Sequence, residues 1–291
     1  MEYLKAVLLG IVQGLTEFLP VSSTGHLVVL EHIMAFRAPA LLFHVFVHTG
    51  TMIAVILVMR RDVVRLLLET GRLISEIAGN LKEFLLSVFK GTDPEYKKLV
   101  RTNYRRLVIE LLAASIPTAG IGFLFMCFGG GLMTNVMIAG IGFLLTGITL
   151  LVSSMLKPRS EMPKDVPVSK FLLIGIAQGF SVIPGISRFA LTWSGGILSG
   201  FSKKTALRIS ILMLLPVSAG ALIAELIHAV QGGGFTVPVL FQCLAGTVAA
   251  AVCGVFVMRA FLRLVQTRSF KGFAYYSFAA GIVSVLTGFL L

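Results

Sequence analysis

Gly10-Ile-Val-Gln13-Gly14-Leu-Thr-Glu17-Phe-Leu-Pro20-Val-Ser22-Ser23-Thr24-Gly25-His26 sets a carboxylate, adjacent hydroxyls and an imidazole inside a run apolar enough to lie in a bilayer. Ionisable groups are costly there and mark functional sites by default. Pro20 ends a helix, since it has no N–H to give and its ring crowds the preceding turn. With the break at Pro20 and Gly25, each apolar piece of residues 4–36 falls short of the ~20 residues that a span requires. Two half-length helices that enter and return, a re-entrant hairpin, fit this stretch better than one long span.

The composition outside this stretch agrees with a bilayer setting. Of 291 residues 56% are hydrophobic and 13% charged, and the mean hydropathy is +0.94. Those values describe a polytopic membrane protein, and long apolar runs without strict alternation select helices over a barrel. The net charge of +12 does not indicate nucleic acid, because Lys and Arg are confined to a few loops between apolar spans. They read as orientation signals and contacts with the headgroups of membrane lipids. Cys127, Cys243 and Cys253 are scattered without metal-type spacing and read as packing residues. Met1-Glu2-Tyr3-Leu4-Lys5 lacks a basic leader and cleavage site, so the first apolar segment is expected to stay in the protein.

Full spans are predicted over residues 40–59, 107–127, 133–156, 207–228, 237–258 and 273–291. In the basic segment 60–106, Leu73, Ile74, Ile77, Leu81, Phe84, Leu85 and Val88 recur at helical spacing, as in an interfacial amphipathic helix. Gly129-Gly130-Gly131 and Gly232-Gly233-Gly234 carry no charge, whereas Lys157, Arg159, Lys164, Lys170, Lys203, Lys204, Arg208, Arg259, Arg263, Arg268 and Lys271 mark the other connections. With the basic connections in the cytoplasm, the spans alternate provided that residues 171–200, broken at Pro184-Gly185, dip in from the cytoplasm and return. Residues 4–36 then dip in from outside, and both termini lie outside.

An internal repeat matches this division. Leu9-Gly10-Ile11-Val12-Gln13-Gly14-Leu15-Thr16 corresponds to Ile174-Gly175-Ile176-Ala177-Gln178-Gly179-Phe180-Ser181, with Pro20 and Ser23 matching Pro184 and Ser187 after a one-residue shift. The expected architecture is all-α: one integral membrane domain over 1–291, an inverted-topology repeat of about 4–156 and 171–291, six full spans and two re-entrant hairpins. Such repeats bring broken helices and their polar tips together near the midplane.

Gln13 and Glu17 are four residues apart and share a helical face. Ser22, Ser23 and Thr24 form a polar turn at the start of the next half-helix, and Ser22 and Ser23 stand four and three residues before His26. Simple capping accounts for the hydroxyls but leaves Glu17 unexplained. Arg188 is the one basic residue in the apolar tract 171–202, with Ser187 before it and Thr192 a turn later. A guanidinium fork fits phosphate or carboxylate oxygens, and Pro184-Gly185 frees backbone amides at the positive end of a half-helix beside it. A snorkelling arginine is the plainer reading, less suited to a mid-segment position with polar neighbours. His44 and His48, a turn apart, suit a metal, a proton relay or interhelical hydrogen bonds. Glu31 with His32 read as reaching water, and Glu110 and the Glu225–His228 pair as interfacial. Trp193 needs no role beyond packing.

On Gln13-Gly-Leu-Thr-Glu17-Phe-Leu-Pro-Val-Ser-Ser-Thr-Gly-His26 and Pro184-Gly-Ile-Ser187-Arg188-Phe-Ala-Leu-Thr192, the chain resembles the undecaprenyl-diphosphate phosphatases of the bacitracin-resistance type, an integral membrane family. The resemblance runs the whole length. Gln13 takes the glutamine permitted in the family's Glu-or-Gln, three residues, Glu motif. Phe189 stands where the second motif usually has another serine.

The resemblance implies hydrolysis of undecaprenyl diphosphate to the monophosphate and inorganic phosphate, which recycles the lipid carrier of cell-wall (peptidoglycan) synthesis in the bacterial inner membrane and confers bacitracin resistance. A carboxylate beside a diphosphate is repulsive unless Arg188 or a divalent cation intervenes, and the resemblance likewise points to Mg²⁺ or Ca²⁺ bound by Glu17 with help from the Gln13 amide oxygen and substrate oxygens. It also implies a homodimer, for which Gly140-Ile-Gly142 would allow close helix contact. Ser187, Arg188 and Thr192 would hold the diphosphate, with Gln13 and Ser22 also touching substrate. Ser23 is the expected nucleophile, activated by Glu17 directly or through His26, with attack by water as the variant. The rival expectation from the repeat architecture is a polyprenyl-phosphate flippase that grips the headgroup with Arg188 without cleaving it.

Overall fold

Pro20 and Pro184-Gly185 break the chain where the sequence places the breaks. The computed structural model describes residues 1–36, 40–156, 165–232, 236–264 and 269–290. Helix α1 (Glu2–Thr16) leads to the Pro20 turn, and α2 (Ser23–Ile33) returns against it. In the second half α7 (Val168–Gly179), a 3₁₀ turn at Phe180–Val182 and α8 (Arg188–Leu198) repeat this hairpin. Among the described residues, six helical segments are long and apolar enough to cross a membrane. They lie in α3 (Ala40–Val58), α5 (Asn103–Phe128), α6 (Val136–Met155), the pair α9 (Lys203–Leu212) and α10 (Leu214–Gly232), α11 (Val237–Leu264) and α12 (Lys271–Leu290). The span predicted over 207–228 is thus two helices. Pro216 gives no N–H and crowds the carbonyl four residues back, at Leu212, where α9 stops.

Helix α4 (Arg60–Lys90) carries the expected amphipathic stretch and stops at Gly91, whose φ of +64° suits a residue without a Cβ. Leu73 is buried, while Ile74, Ile77, Leu81, Phe84, Leu85 and Val88 point away from the protein, as on a helix lying in a lipid interface. Arg105 ties α4 to α5, donating from Nε to Glu69 (3.0 Å) and from Nη1 to Glu76 (2.5 Å). Arg208 on α9 reaches Asp62 and the Tyr104 hydroxyl, joining the same corner to the second half.

Helix α1 packs on α11 and α7 on α5, so each hairpin leans on a span of the other half. At Gly10 a Cβ would collide with the Gly246 backbone, and at Gly175 with that of Ala114; glycine is what permits both crossings. Helix α6 lies along α12 and touches α2 and α8. Gly140 faces Val285 and Gly281 of α12, and Gly142 faces the Pro184–Gly185 turn. The glycines expected at a dimer contact are therefore used inside the chain.

Glu110 and Glu225 are buried within the protein (0% and 6% exposed), and Arg106 Nε donates to Glu110 at 2.8 Å. Trp193 packs as expected, its ring centroid 4.4 Å from that of Phe270. The cysteines are free, with Cys243 buried and Cys127 exposed. Lys157, Arg159, Lys164, Gly233, Gly234, Arg268 and the side chain of His228 lie outside the described residues.

Candidate active site

The two hairpin tips meet on α6. Gly185 has φ +85°, and a Cβ there would strike the α6 backbone at Ala139. The Thr146 hydroxyl donates to the Gly185 carbonyl (2.7 Å) and accepts the Ser187 N–H (2.8 Å). Ser187 then caps α8, its hydroxyl accepting the Ala190 N–H at 3.2 Å. A Cβ on Gly25 would come within 2.7 Å of the Gly185 Cα, so the first tip rests directly on the second. Ser22 caps α2 by accepting the Gly25 N–H at 3.3 Å and holds φ at +63°, a strained value for a residue with a side chain.

This contact brings Glu17 and Arg188 together. Arg188 Nη2 donates to Glu17 Oε1 at 2.5 Å. The other carboxylate oxygen, Oε2, accepts from Ser23 Oγ at 2.5 Å and from Gln13 Nε2 at 3.0 Å. Glu17 and Gln13 are 6% and 0% exposed, so the carboxylate depends on these donors for stability away from water. Arg188 Nη1 is buried and bonds nothing, which leaves a charged donor for an incoming anion.

A cavity of about 360 Å³ opens onto the pair. Glu17, Ser22, Ser23, Ser187 and Arg188 supply its polar wall; Val45 of α3 and Leu214 and Val217 of α10 supply apolar wall. Gly130, Met133 and Thr134, from the connection between α5 and α6, sit at one end.

Of the residues expected at the site, Gln13, Glu17, Ser23 and Arg188 form one hydrogen-bonded group, and Ser22 and Ser187 line the same cavity. His26 does not join them. Its Nδ1 hydrogen goes to the Ser22 carbonyl (2.7 Å), and its Nε2 accepts from the Tyr276 hydroxyl (2.7 Å). The ring lies stacked on Tyr276 and edge-on to Phe143, so no proton path runs through it from Ser23 to Glu17. Thr192 also stays out, because its hydroxyl bonds back to the Arg188 carbonyl at 2.9 Å. Phe189, at the serine position of the motif, lines the cavity and packs edge-on against Phe261.

Two imidazoles of α3, those of His44 and His48, line the cavity, and His48 Nδ1 accepts from Gln13 Nε2 at 2.9 Å and stands 3.4 Å from Glu17 Oε2. The sequence marks His48 through its spacing from His44 but gives no sign of its partner. His44 itself turns to Glu31, 3.0 Å from both carboxylate oxygens. Glu31 is thus engaged by α3 and not left to water.

Mg²⁺ and Ca²⁺ take six or more oxygen ligands. Glu17 is the one carboxylate in the cavity wall, and both its oxygens hold hydrogen-bond donors. Gln13 turns its N–H groups, not its oxygen, towards it. Among the described residues no cluster of three or more His, Cys, Asp or Glu side chains is placed to hold a metal ion. Glu17 and Gln13 as they stand do not fit a protein-held cation.

Two broken helices that bring an arginine, a carboxylate and a serine to one cavity, in a chain with six helical segments apolar enough to cross a membrane among the described residues, define a class, the polytopic helical membrane protein with a buried charged site. Within that class the chain belongs to the family of bacitracin resistance protein BacA, whose model matches residues 6–283. A protein of Desulforapulum autotrophicum named undecaprenyl-diphosphatase is 35% identical over 292 residues, covering all of both chains. Proteins of the same name from Alkaliphilus metalliredigens and Halothermothrix orenii are each 33% identical, over 100% and 98% of both chains respectively.

Proposed function

We propose that the chain hydrolyses undecaprenyl diphosphate to undecaprenyl phosphate and inorganic phosphate, so returning the lipid carrier to peptidoglycan synthesis and conferring bacitracin resistance. The family membership and the name shared by full-length relatives support this activity. The observation in the site that carries it is the Ser23 hydroxyl at 2.5 Å from a carboxylate whose far oxygen is held by Arg188. A site that only gripped a headgroup has no use for a hydroxyl set against a base, and nothing in the comparisons favours a flippase.

In this proposal Ser23 Oγ attacks the terminal phosphorus, and its proton passes to Glu17 Oε2. The bond from that phosphorus to the bridging oxygen breaks, and the prenyl monophosphate leaves. Water then attacks the phosphoserine, the P–Oγ bond breaks, and Glu17 returns the proton to Ser23. Arg188, through its unbonded Nη1, and the positive end of α8 offset charge on the terminal phosphoryl oxygens. The Ser22 and Ser187 hydroxyls line the same cavity, and the apolar wall of α3 and α10 suits the first prenyl units.

The orientation belongs to the same proposal. With the basic connections in the cytoplasm of a bacterial inner membrane, the uncharged Gly130–Thr134 end of the cavity faces outside, and phosphate is released there. The inverted repeat is supported by the exchanged packing of α1 on α11 and α7 on α5. The test is direct: protein purified in detergent is given a short-chain prenyl diphosphate, and phosphate is assayed. Release is expected; wild-type protein that binds the lipid and releases none overturns the proposal in favour of a carrier.

A further inference from the structure

Residue 13, four before Glu17, is a glutamine, and its amide decides what the site can hold. Gln13 is fully buried, and both hydrogens of its Nε2 are used, one on Glu17 Oε2 (3.0 Å) and one on His48 Nδ1 (2.9 Å). The opposite amide orientation sets Oε1 at the place of Nε2, 3.0 Å from a carboxylate oxygen, lone pair against lone pair. The observed orientation has its own cost, because Oε1 is left buried without a partner. Two bonds from one nitrogen hold it in place, and His48 supplies the acceptor for one of them.

We infer that His48 fixes the Gln13 amide as a donor to Glu17, so that the substrate-free protein holds no divalent cation and any cation enters already bound to the diphosphate. This inference rests on the phosphatase reading of the same site. A cation at Glu17 Oε2 must displace Ser23 or Gln13, and one at Oε1 must stand beside the Arg188 guanidinium. Glu31, the acid of α2, is bonded to His44 through both oxygens and does not line the cavity. A diphosphate brings several hard oxygens of its own, which is how Mg²⁺ reaches sites that offer it few carboxylates. His48 is on these grounds a positioning residue, acting on Glu17 through Gln13.

Two measurements test this. The first is calorimetric titration of detergent-purified, substrate-free protein with CaCl₂ or MgCl₂. Wild type is expected to show no saturable binding below about 1 mM, the weak end of protein calcium sites. Gln13→Glu, which sets a second carboxylate beside Glu17, is expected to bind at least about tenfold tighter. Stoichiometric submillimolar binding by wild type overturns the inference, and so does a Gln13→Glu protein that binds no better than wild type.

The second compares His48→Gln with His48→Leu in steady-state turnover of a prenyl diphosphate. Gln retains an oxygen that accepts from Gln13, and kcat is expected within about threefold of wild type. Leu fills the space without accepting, and kcat is expected to fall about tenfold or more with KM changed less than about twofold. Equal turnover by the two variants means that His48 only packs, and removes it from the inference. If wild type releases no phosphate at all, the phosphatase reading fails, while the calorimetric arm still decides whether the free protein holds a cation.

Discussion

Arg188 and Glu17 stand 171 residues apart in the chain and 2.5 Å apart in space, guanidinium Nη2 against carboxylate Oε1. Each residue compensates the other's burial, and each leaves its second polar end for chemistry: Oε2 faces Ser23, and Nη1 is unbonded. Removing one member of a buried pair strands the other, at a cost of about 3–5 kcal/mol. Arg188→Ala and Glu17→Ala are therefore each expected to lose most phosphate release, and the double variant to lose little more than either single one. A double-mutant cycle on kcat/KM checks this, and additive losses would show that the two residues act independently.

Ser23→Ala is expected to lower kcat by about a hundredfold or more, since it removes both the attacking oxygen and a donor to Glu17. Turnover near the wild-type rate would assign the attack to water. Rapid quenching with labelled substrate offers a second view, in which the wild-type protein carries label on a serine and the Ser23→Ala protein carries none.

His26 bonds the Ser22 carbonyl and the Tyr276 hydroxyl, which ties the strained turn of the first hairpin to α12. Its replacement by alanine is expected to lower activity by shifting that turn. Tyr276→Phe, which keeps the stacked ring but drops one bond, should reproduce part of the loss, about two- to fivefold for one ordinary hydrogen bond. A proton relay through His26 makes a different forecast: His26→Ala inactive and Tyr276→Phe silent.

The contrast between His26 and His48 shows how far the sequence could be read. Pro20, Pro184 and Gly185 break their helices through covalent chemistry that acts locally, so the hairpins and their tip residues were legible. The convergence of Glu17, Ser23 and Arg188 followed from the repeat. The direction in which each imidazole points was not legible, because Ser22 offers His26 both a side chain and a backbone carbonyl at the same spacing. The bond of His48 to Gln13 crosses from α3 to α1, and nothing local to either helix encodes it. Thr192 illustrates a local competition, its hydroxyl taken by the carbonyl a turn before it. The α9–α10 break was missed because Pro216 lies within an otherwise continuous apolar run.

Outside the membrane core, Glu69 makes the α4–α5 junction sensitive to acid. Burial raises its carboxyl, but Arg105 and Arg72 outweigh that effect and hold it below the ordinary value of 4.5. A carboxyl held low in the folded state stabilises fully above that ordinary value, and the contribution is lost as pH falls through the lowered one. The midpoint of thermal unfolding in detergent should accordingly drop as the pH is taken from neutral to below 4.5. Glu69→Gln should unfold earlier at neutral pH and show a shallower acid dependence; an unchanged slope would place the acid sensitivity elsewhere.

Thr146 and Gly142 belong to the first half of the chain, yet they seat the turn that presents Arg188 from the second. During synthesis the first half therefore emerges with Glu17 and Ser23 but no counter-charge for the carboxylate, and the group is complete only once α8 has been made. A truncated chain ending before Pro184 is expected to release no phosphate from a lipid diphosphate. The two halves expressed as separate polypeptides should be inactive alone and regain phosphate release when produced together, with the α6 contact as the point of assembly.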